Sequence, residues 1–269
     1  MSVPVSLEAL DLAALLCSRM CHDLISPTGA IVNGLEVLED SDDEETRSFA
    51  LELIRKSART ASARLQFSRV AFGAAGSSTA RIDLADAETL VRGFVEAEKV
   101  RLLWDLPRVT VPKSRVRLLM NMILVAAQAI PRGGVLTVAG DGPPEAMTFR
   151  ILARGLNARV LEQVPALLDG RPENGTVDAH GIQPYYTGLL GRAIALEVSI
   201  GSDGDAVVVA ARPVPVRVPA PRPLRRRVDW LRDPTPPPMS TQALNGTHVS
   251  NGRLAPEGLK MRGVEQERP

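Results

Sequence analysis

Aromatic side chains make up only 3% of this 269-residue chain: two tryptophans, two tyrosines and five phenylalanines. That scarcity leaves few platforms on which nucleic-acid bases stack. A charge excess of either sign is also missing. The formal net charge is +1, so nothing overall directs the chain toward nucleic acid. The two cysteines are Cys17 and Cys21. One helical turn apart, they suit neither a disulfide framework nor a tetrahedral zinc site, and they read as buried thiols. The longest apolar run, 118–130, contains Asn121 and Gln128 and is too short to span a bilayer. The start, Met1-Ser2-Val3-Pro4, carries no early Lys or Arg and does not read as a signal peptide. The glycine-rich phosphate loop of nucleoside triphosphatases is missing too. The expectation is a soluble cytoplasmic protein with neither a nucleic-acid nor a membrane partner and with no metal site.

What is present divides into three textures. Hydrophobic residues reach 45%, enough for one or two ordinary domains. Residues 6–74 read as a helical hairpin. A first helix runs to residue 40 with Ser6 as candidate N-cap, and a second runs from about Asp43 to Phe72. The second carries the apolar stripe Phe49, Leu53, Ile54, Ala58, Ala61, Leu65 and Val70. Gly73 to Ser78 ends it as a linker. A lone hairpin encloses no core, so two copies pairing into a dimeric four-helix bundle are expected.

Residues 79–213 mix helices and strands in the order of a two-layer α+β sandwich. Helices are expected at 84–99, 112–130 and 183–198, and strands at 101–105, 135–140, 149–152 and 206–212. Residues 214–269 differ again. From Pro213 on, the chain holds 11 of the 21 prolines, together with Arg225-Arg226-Arg227. That composition reads as a disordered Pro/Arg-rich tail, with the triple arginine a solvated cluster.

Within the first helix, His22 stands apart. At 100° per residue, Leu10, Ala13, Ala14, Cys17, Cys21, Leu24, Ile31, Val32, Leu35 and Leu38 fall between roughly 160° and 280° from it. They read as a core face. Ser18, Arg19, Ser26, Gly29 and Asn33 fall within roughly 60° of His22, on the polar side. A neutral imidazole held toward water is a good nucleophile toward phosphorus. The adjacent Asp23 carboxylate can fix its tautomer and accept developing positive charge. Pro27 removes the N–H that would bond the Asp23 carbonyl, so the helix should loosen or kink just past the histidine. By geometry alone, a surface histidine with an incidental proline stands equally open. In an antiparallel hairpin Arg59, Ser62 and Arg64 come level with His22, within about one turn. Whichever arginine faces outward should steer an acidic partner or stabilise a transferring phosphoryl group. His180, in a Gly-flanked loop, and His248, in the tail, read as plain surface residues.

The string Cys21-His22-Asp23-Leu24-Ile25-Ser26-Pro27 resembles the phosphoacceptor box of histidine kinases, in which an acidic residue follows the histidine and a proline lies five positions on. The segment Val125 to Gly134 resembles the kinase nucleotide-domain segment ending in Pro-x-Gly-Gly. Val125 stands where the kinases carry a magnesium-binding asparagine, and valine offers no oxygen to a hard cation. The adenine-recognising Asp-x-Gly-x-Gly box falls near Ala153-Arg154-Gly155-Leu156-Asn157, without its aspartate or second glycine. The glycine-rich lid is replaced by Gly181-Ile182-Gln183-Pro184-Tyr185-Tyr186.

A phosphoacceptor hairpin joined to a degenerate histidine-kinase ATPase-like α/β sandwich resembles the ChpT-type histidine phosphotransferases of alphaproteobacteria. The likeness extends over about residues 8–212. It rests on the His22 box, on Leu65 to Ala74 and on Gln183-Pro184-Tyr185-Tyr186. It implies that His22 is phosphorylated, with Asp23 beside it as acid/base neighbour. Arg19, Ser26, Pro27, Asn33, Arg59 and Arg64 are then the candidate partner-binding residues. It further implies no nucleotide cofactor, with Mg²⁺ supplied by the partners. Those partners would be the receiver domain of a CckA-like hybrid histidine kinase as donor and CtrA-like and CpdR-like response regulators as recipients. An active histidine kinase, or a phosphatase or scaffold dimer in which Ser26 orients a water, are the alternatives.

Overall fold

A first helix, α1, runs from Ala9 to Asp40 without a break. The computed structural model describes residues 4–73, 80–95 and 99–214. Ser6 is not the N-cap of α1. Glu8 precedes the helix and makes no side-chain cap, because the chain before it is committed elsewhere. Val5 N–H donates to Gly170 O at 2.7 Å. The Tyr185 hydroxyl donates to Val5 O at 2.9 Å and accepts from Leu7 N–H at 3.2 Å. Those tertiary bonds hold residues 5–7 out of the helix. At the other end the chain turns extended at Ser41. The second helix, α2 (Glu44–Ala71), opens on Asp43, whose carboxylate accepts from the Thr46 N–H at 2.8 Å and the Thr46 hydroxyl at 2.7 Å. Glu44 and Glu45 in the first turn suit the positive end of the helix dipole. Arg47 ties the turn by donating to Ser41 O at 3.0 Å.

The two helices pack through small residues. Pro27 and Gly34 on α1, and Ala50 and Ser57 on α2, are buried. A Cβ at Gly34 would lie 2.6 Å from Ile54 Cγ1, so the crossing needs glycine there. The face that α2 covers is not the whole apolar stripe read from the sequence. Leu10, Ala13, Ala14, Cys17, Cys21, Val32 and Leu35 are exposed in the single chain, and Leu24, Ile31 and Leu38 are half-buried. The expectation of buried thiols is corrected for the single chain, in which both cysteines are exposed. Periodicity locates an apolar stripe but does not say how much of it one neighbour can cover.

Beyond the hairpin, β1 (Arg81–Asp83) pairs antiparallel with β3 (Thr110–Pro112). The main sheet has the order β2-β4-β5-β7-β6, with β2 (Val100–Asp105) parallel to β4 (Gly134–Asp141). β5 (Thr148–Arg154), β7 (Ala206–Pro213) and β6 (Leu196–Asp203) complete it with antiparallel neighbours. Alternate residues such as Leu136, Val138, Phe149, Ile151 and Val209 point into one core, as in a sheet covered on one face. Covering it are α3 (Leu84–Val95), α4 (Lys113–Gln128) and α6 (Ile182–Ala193), with the short α5 (Gln163–Leu168) beside α6. Helix α4 is buried continuously from Leu118 to Ala126, which is why it reads as apolar all round.

Strand β6 overturns the expected helix over 183–198. Helix α6 ends at Ala193, and Ala195 takes a left-handed φ of 56°. Leu196, Val198 and Ile200 then alternate with Glu197 and Ser199, a period of two. Strands β1 and β3 and helix α5 were also not expected. The expected linker over Gly73 to Ser78 falls, from residue 74, outside the described residues, as does the expected disordered tail from residue 215.

Both open ends of the hairpin are planted in the sandwich. Phe67 and Ala71 of α2 share one core with Leu84, Phe94 and Ile123, and the Phe67 and Phe94 rings stack at 4.4 Å. Leu7, Leu12, Leu15 and Leu16 pack on Leu167, Ile182 and Tyr185. A buried polar network stitches the same region. Asn121 Nδ2 donates to Ala71 O at 2.9 Å, and Gln183 Nε2 donates to Asn121 Oδ1 at 2.9 Å. The Thr187 hydroxyl donates to Gln183 O at 2.7 Å.

Candidate functional site

The helix places His22 in water, with its side chain 84% exposed. Its Nδ1 lies 3.6 Å from Asp23 Oδ1, beyond a direct hydrogen bond. The other Asp23 oxygen, Oδ2, accepts from Arg19 Nε at 3.2 Å. Asp23 and Arg19 are each about one-fifth exposed, so this is a partly shielded pair one helical turn long. It orients the carboxylate beside the imidazole rather than bonding the imidazole itself.

The loosening expected past His22 does not end the helix. Helix α1 continues through a buried Pro27. The Asp23 carbonyl, which Pro27 deprives of its donor, accepts instead from Arg64 Nη1 of α2. The lost hydrogen bond is thus replaced across the hairpin.

His22 opens onto a cleft of about 420 Å³ between the hairpin and the sandwich. Arg19, Asp23, Ser26 and Arg64 line its hairpin wall, and Phe94, Val100, Leu124, Gln128, Ile130 and Pro131 line the opposite one. One wall is charged and hydrogen-bonding, and the other is mostly apolar. Of the residues expected at the site, Arg19, His22, Asp23, Ser26 and Arg64 therefore meet. Pro27 is buried just behind them. Asn33 is exposed on α1 about three turns further along. Arg59 is exposed but lines a different groove, with Glu52, Arg55, Lys56 and Gly93. Ser62 lies on that side too, beside Gln66 and Leu90. Sequence reasoning missed the whole sandwich wall, since nothing local marks those apolar residues as facing a histidine far away in the chain. His180 is exposed, its main-chain N–H on Asp178 Oδ1 at 3.1 Å.

The positions compared above with a nucleotide site have structural surroundings here. Val125 is 2% exposed within α4, and Ala153 is fully buried on β5. A Cβ on Gly155 would sit 2.4 Å from Gly133 O, so that backbone is closed against the turn after α4. The segment in place of the lid forms α6, whose Gln183, Tyr185 and Tyr186 are buried. The Tyr186 hydroxyl accepts from Arg117 Nη2 at 2.6 Å. Among the described residues, no group of three His, Cys, Asp or Glu is arranged to hold a metal ion. Nor is any described helix long and apolar enough to cross a membrane.

The histidine phosphotransferase C-terminal domain family matches residues 84–206. Protein phosphotransferase ChpT of Brucella abortus (strain 2308) is 47% identical over 211 residues, covering 78% of this chain and 100% of that protein. The 1.7 Å structure of a bacterial phosphotransferase superposes with a TM-score of 0.71 at 45% identity, again over 78% of this chain and 100% of its own. A phosphoacceptor-like histidine at the mouth of a cleft, a sandwich of matching family and a relative matched over its full length lead to one assignment: the chain belongs to the ChpT family of histidine phosphotransferases.

Proposed function

We propose that this protein is a phosphotransferase of a two-component phosphorelay in which His22 carries the phosphoryl group. The observation that carries this reading is the exposed imidazole at the cleft mouth with the Arg19-held Asp23 carboxylate on its Nδ1 side. In the first step the free nitrogen, Nε2, attacks the phosphorus of an aspartyl phosphate on a donor receiver domain. A P–N bond forms, the P–O bond to the donor carboxyl breaks, and its electron pair stays on the donor carboxylate. The ring becomes cationic, and Asp23 offsets that charge. In the second step a recipient aspartate oxygen attacks the phosphorus, the P–N bond breaks, and the electron pair returns to Nε2. Both phosphoanhydride-like ends are acyl phosphates, so the chain itself needs no nucleotide, and the Mg²⁺ belongs to the receivers. In this reading the donor is the receiver of a CckA-like hybrid kinase and the recipients are CtrA-like and CpdR-like regulators in the cytoplasm.

The working unit is a homodimer. Leu10, Ile25, Val32 and Leu35 on α1, and Phe49, Leu53 and Leu65 on α2, are exposed in the single chain. Apolar surface on this scale on two adjacent helices is the kind a second copy covers. A four-helix bundle formed on that strip leaves His22 outside the seam.

The test is direct. The purified protein is mixed with a labelled phospho-receiver in the absence of ATP, and the label is followed. It should move to the protein and then to a second receiver. His22→Ala should abolish labelling while leaving the fold intact, because truncating a side chain this exposed removes little packing. Label retained on the His22→Ala protein excludes this acceptor.

A further inference from the structure

Pro27 has no N–H, and the carbonyl it leaves without a helical donor belongs to Asp23, the residue beside the phosphoacceptor. Arg64, 41 residues away in sequence, reaches from α2 and donates Nη1 to that carbonyl. Arg64 lines the same cleft as His22. Asp23 is thus held at two points: its carboxylate by Arg19 Nε at 3.2 Å and its main chain by Arg64. Releasing the second hold frees the α1 turn that sets the direction of both His22 and Asp23. A phosphoryl acceptor must meet the phosphorus in line, and misplacement by about 1 Å is enough to slow a reaction severely.

We propose that Arg64 is a positioning residue for phosphotransfer: it supplies the hydrogen bond that Pro27 withholds and so fixes the turn presenting His22. This rests on His22 being the acceptor. Arg59, exposed in another groove, has no such role. The proposal differs from electrostatic steering in what it predicts. A donor spent on a partly shielded carbonyl should act on the transfer step itself and respond weakly to salt, whereas steering acts on encounter and fades as salt rises.

The experiment is a double-mutant cycle on the full chain. Arg64→Met keeps the apolar stem but removes the donor. Pro27→Ala restores a main-chain N–H that bonds the Asp23 carbonyl without help from Arg64. Rates of transfer from a phospho-receiver are measured at saturating and limiting receiver, at low and high salt, with the thermal midpoint of every variant. Arg64→Met should lower the saturated rate by about tenfold, the scale of one lost charge-assisted hydrogen bond. In the Pro27→Ala background the same change should cost no more than about twofold, the two sites being coupled. Should Arg64→Met fail to fold, Arg64→Lys, which keeps a single donor, carries the cycle with the same expected sign. Equal losses in both backgrounds overturn the proposal, as does a loss seen only at limiting receiver that vanishes in high salt. A His22→Ala control separates the two levels. If it still accepts label, the acceptor assignment fails and this proposal with it. If it does not, an additive cycle refutes the role of Arg64 alone.

Discussion

Asn121 is fully buried where the hairpin meets the sandwich, and replacing it with leucine isolates what that contact contributes. Leucine matches asparagine in the number and branching of its side-chain heavy atoms, so no cavity is opened, although its two methyl groups are bulkier than the amide they replace. The polar component is not. Asn121 Nδ2 donates to Ala71 O, at the last residue of α2, at 2.9 Å, and to Arg117 O at 2.8 Å. Its Oδ1 accepts from Gln183 Nε2 at 2.9 Å. Arg117 O keeps the helical N–H of residue 121. Gln183 Nε2 keeps the Thr187 hydroxyl at 3.3 Å, a poorer partner. The Ala71 carbonyl, one of the last of its helix and so outside the intrahelical ladder, loses the side-chain amide that bonds it. One full and one partial buried orphan, at about 1–3 kcal/mol for a full one, amount to about 2–4 kcal/mol. For a domain of this size that lowers Tm by about 5–15 °C. Differential scanning calorimetry reads the shift, and hydrogen exchange should show faster exchange in the last turns of α2. A Tm within about 2 °C of the parent would refute the argument, because it would mean the network is satisfied some other way.

Three further outcomes follow from the same structure. The two bonds from Thr46 hold the Asp43 carboxyl below the usual aspartate range, so the cap stabilises α2 above that range and is lost as pH falls through the lowered value. Asp43→Asn should remove this part of the acid transition in far-UV circular dichroism, and an unchanged profile would count against the cap. Titration with Mg-ATP should give no saturable heat at micromolar concentrations, since Val125 and Ala153 are core residues; a saturating isotherm would revive nucleotide binding. Cys17 and Cys21, exposed in the single chain, should react slowly with Ellman's reagent in concentrated protein and rapidly in a Leu35→Glu variant that splits the dimer. Rapid reaction at every concentration would place the dimer seam elsewhere.

The parts of the fold written in local pattern were legible, and the parts written in distant contacts were not. The two long helices announce themselves by periodicity, and the second, expected from about Asp43, begins at Glu44. The sheet strands at 135–140, 149–152 and 206–212 are short apolar runs that each lie within an observed strand. Residues 194–198 misled because Ile194 and Val198 also extend a helical pattern, and only the left-handed turn at Ala195 breaks it. Ser6 has the chemistry of a cap, but Tyr185, 178 residues beyond Leu7, holds its neighbours extended. At the site, sequence spacing identifies the carbonyl that loses its donor. It says nothing of which side chain replaces it, nor that Arg59 and Arg64, five residues apart, serve different grooves.

In the proposed function His22 takes its phosphoryl group from a partner, and the placement of the hairpin's two ends bears on what the α/β sandwich does beside it. A kinase has to bring a bound nucleotide up to its own histidine, which requires the two parts to move against each other. Here the start of α1 is tied by Tyr185 to Val5 and Leu7, and the end of α2 by Asn121 and by the Phe67–Phe94 stack. Motion of the hairpin against the sandwich would have to break a continuous apolar core and a buried polar network together. Fixing them sacrifices that motion and leaves a rigid cleft with His22 at its mouth. For the proposed relay the exchange is favourable, because each incoming receiver would find His22 in one orientation and the ordering cost would fall on folding rather than on every encounter.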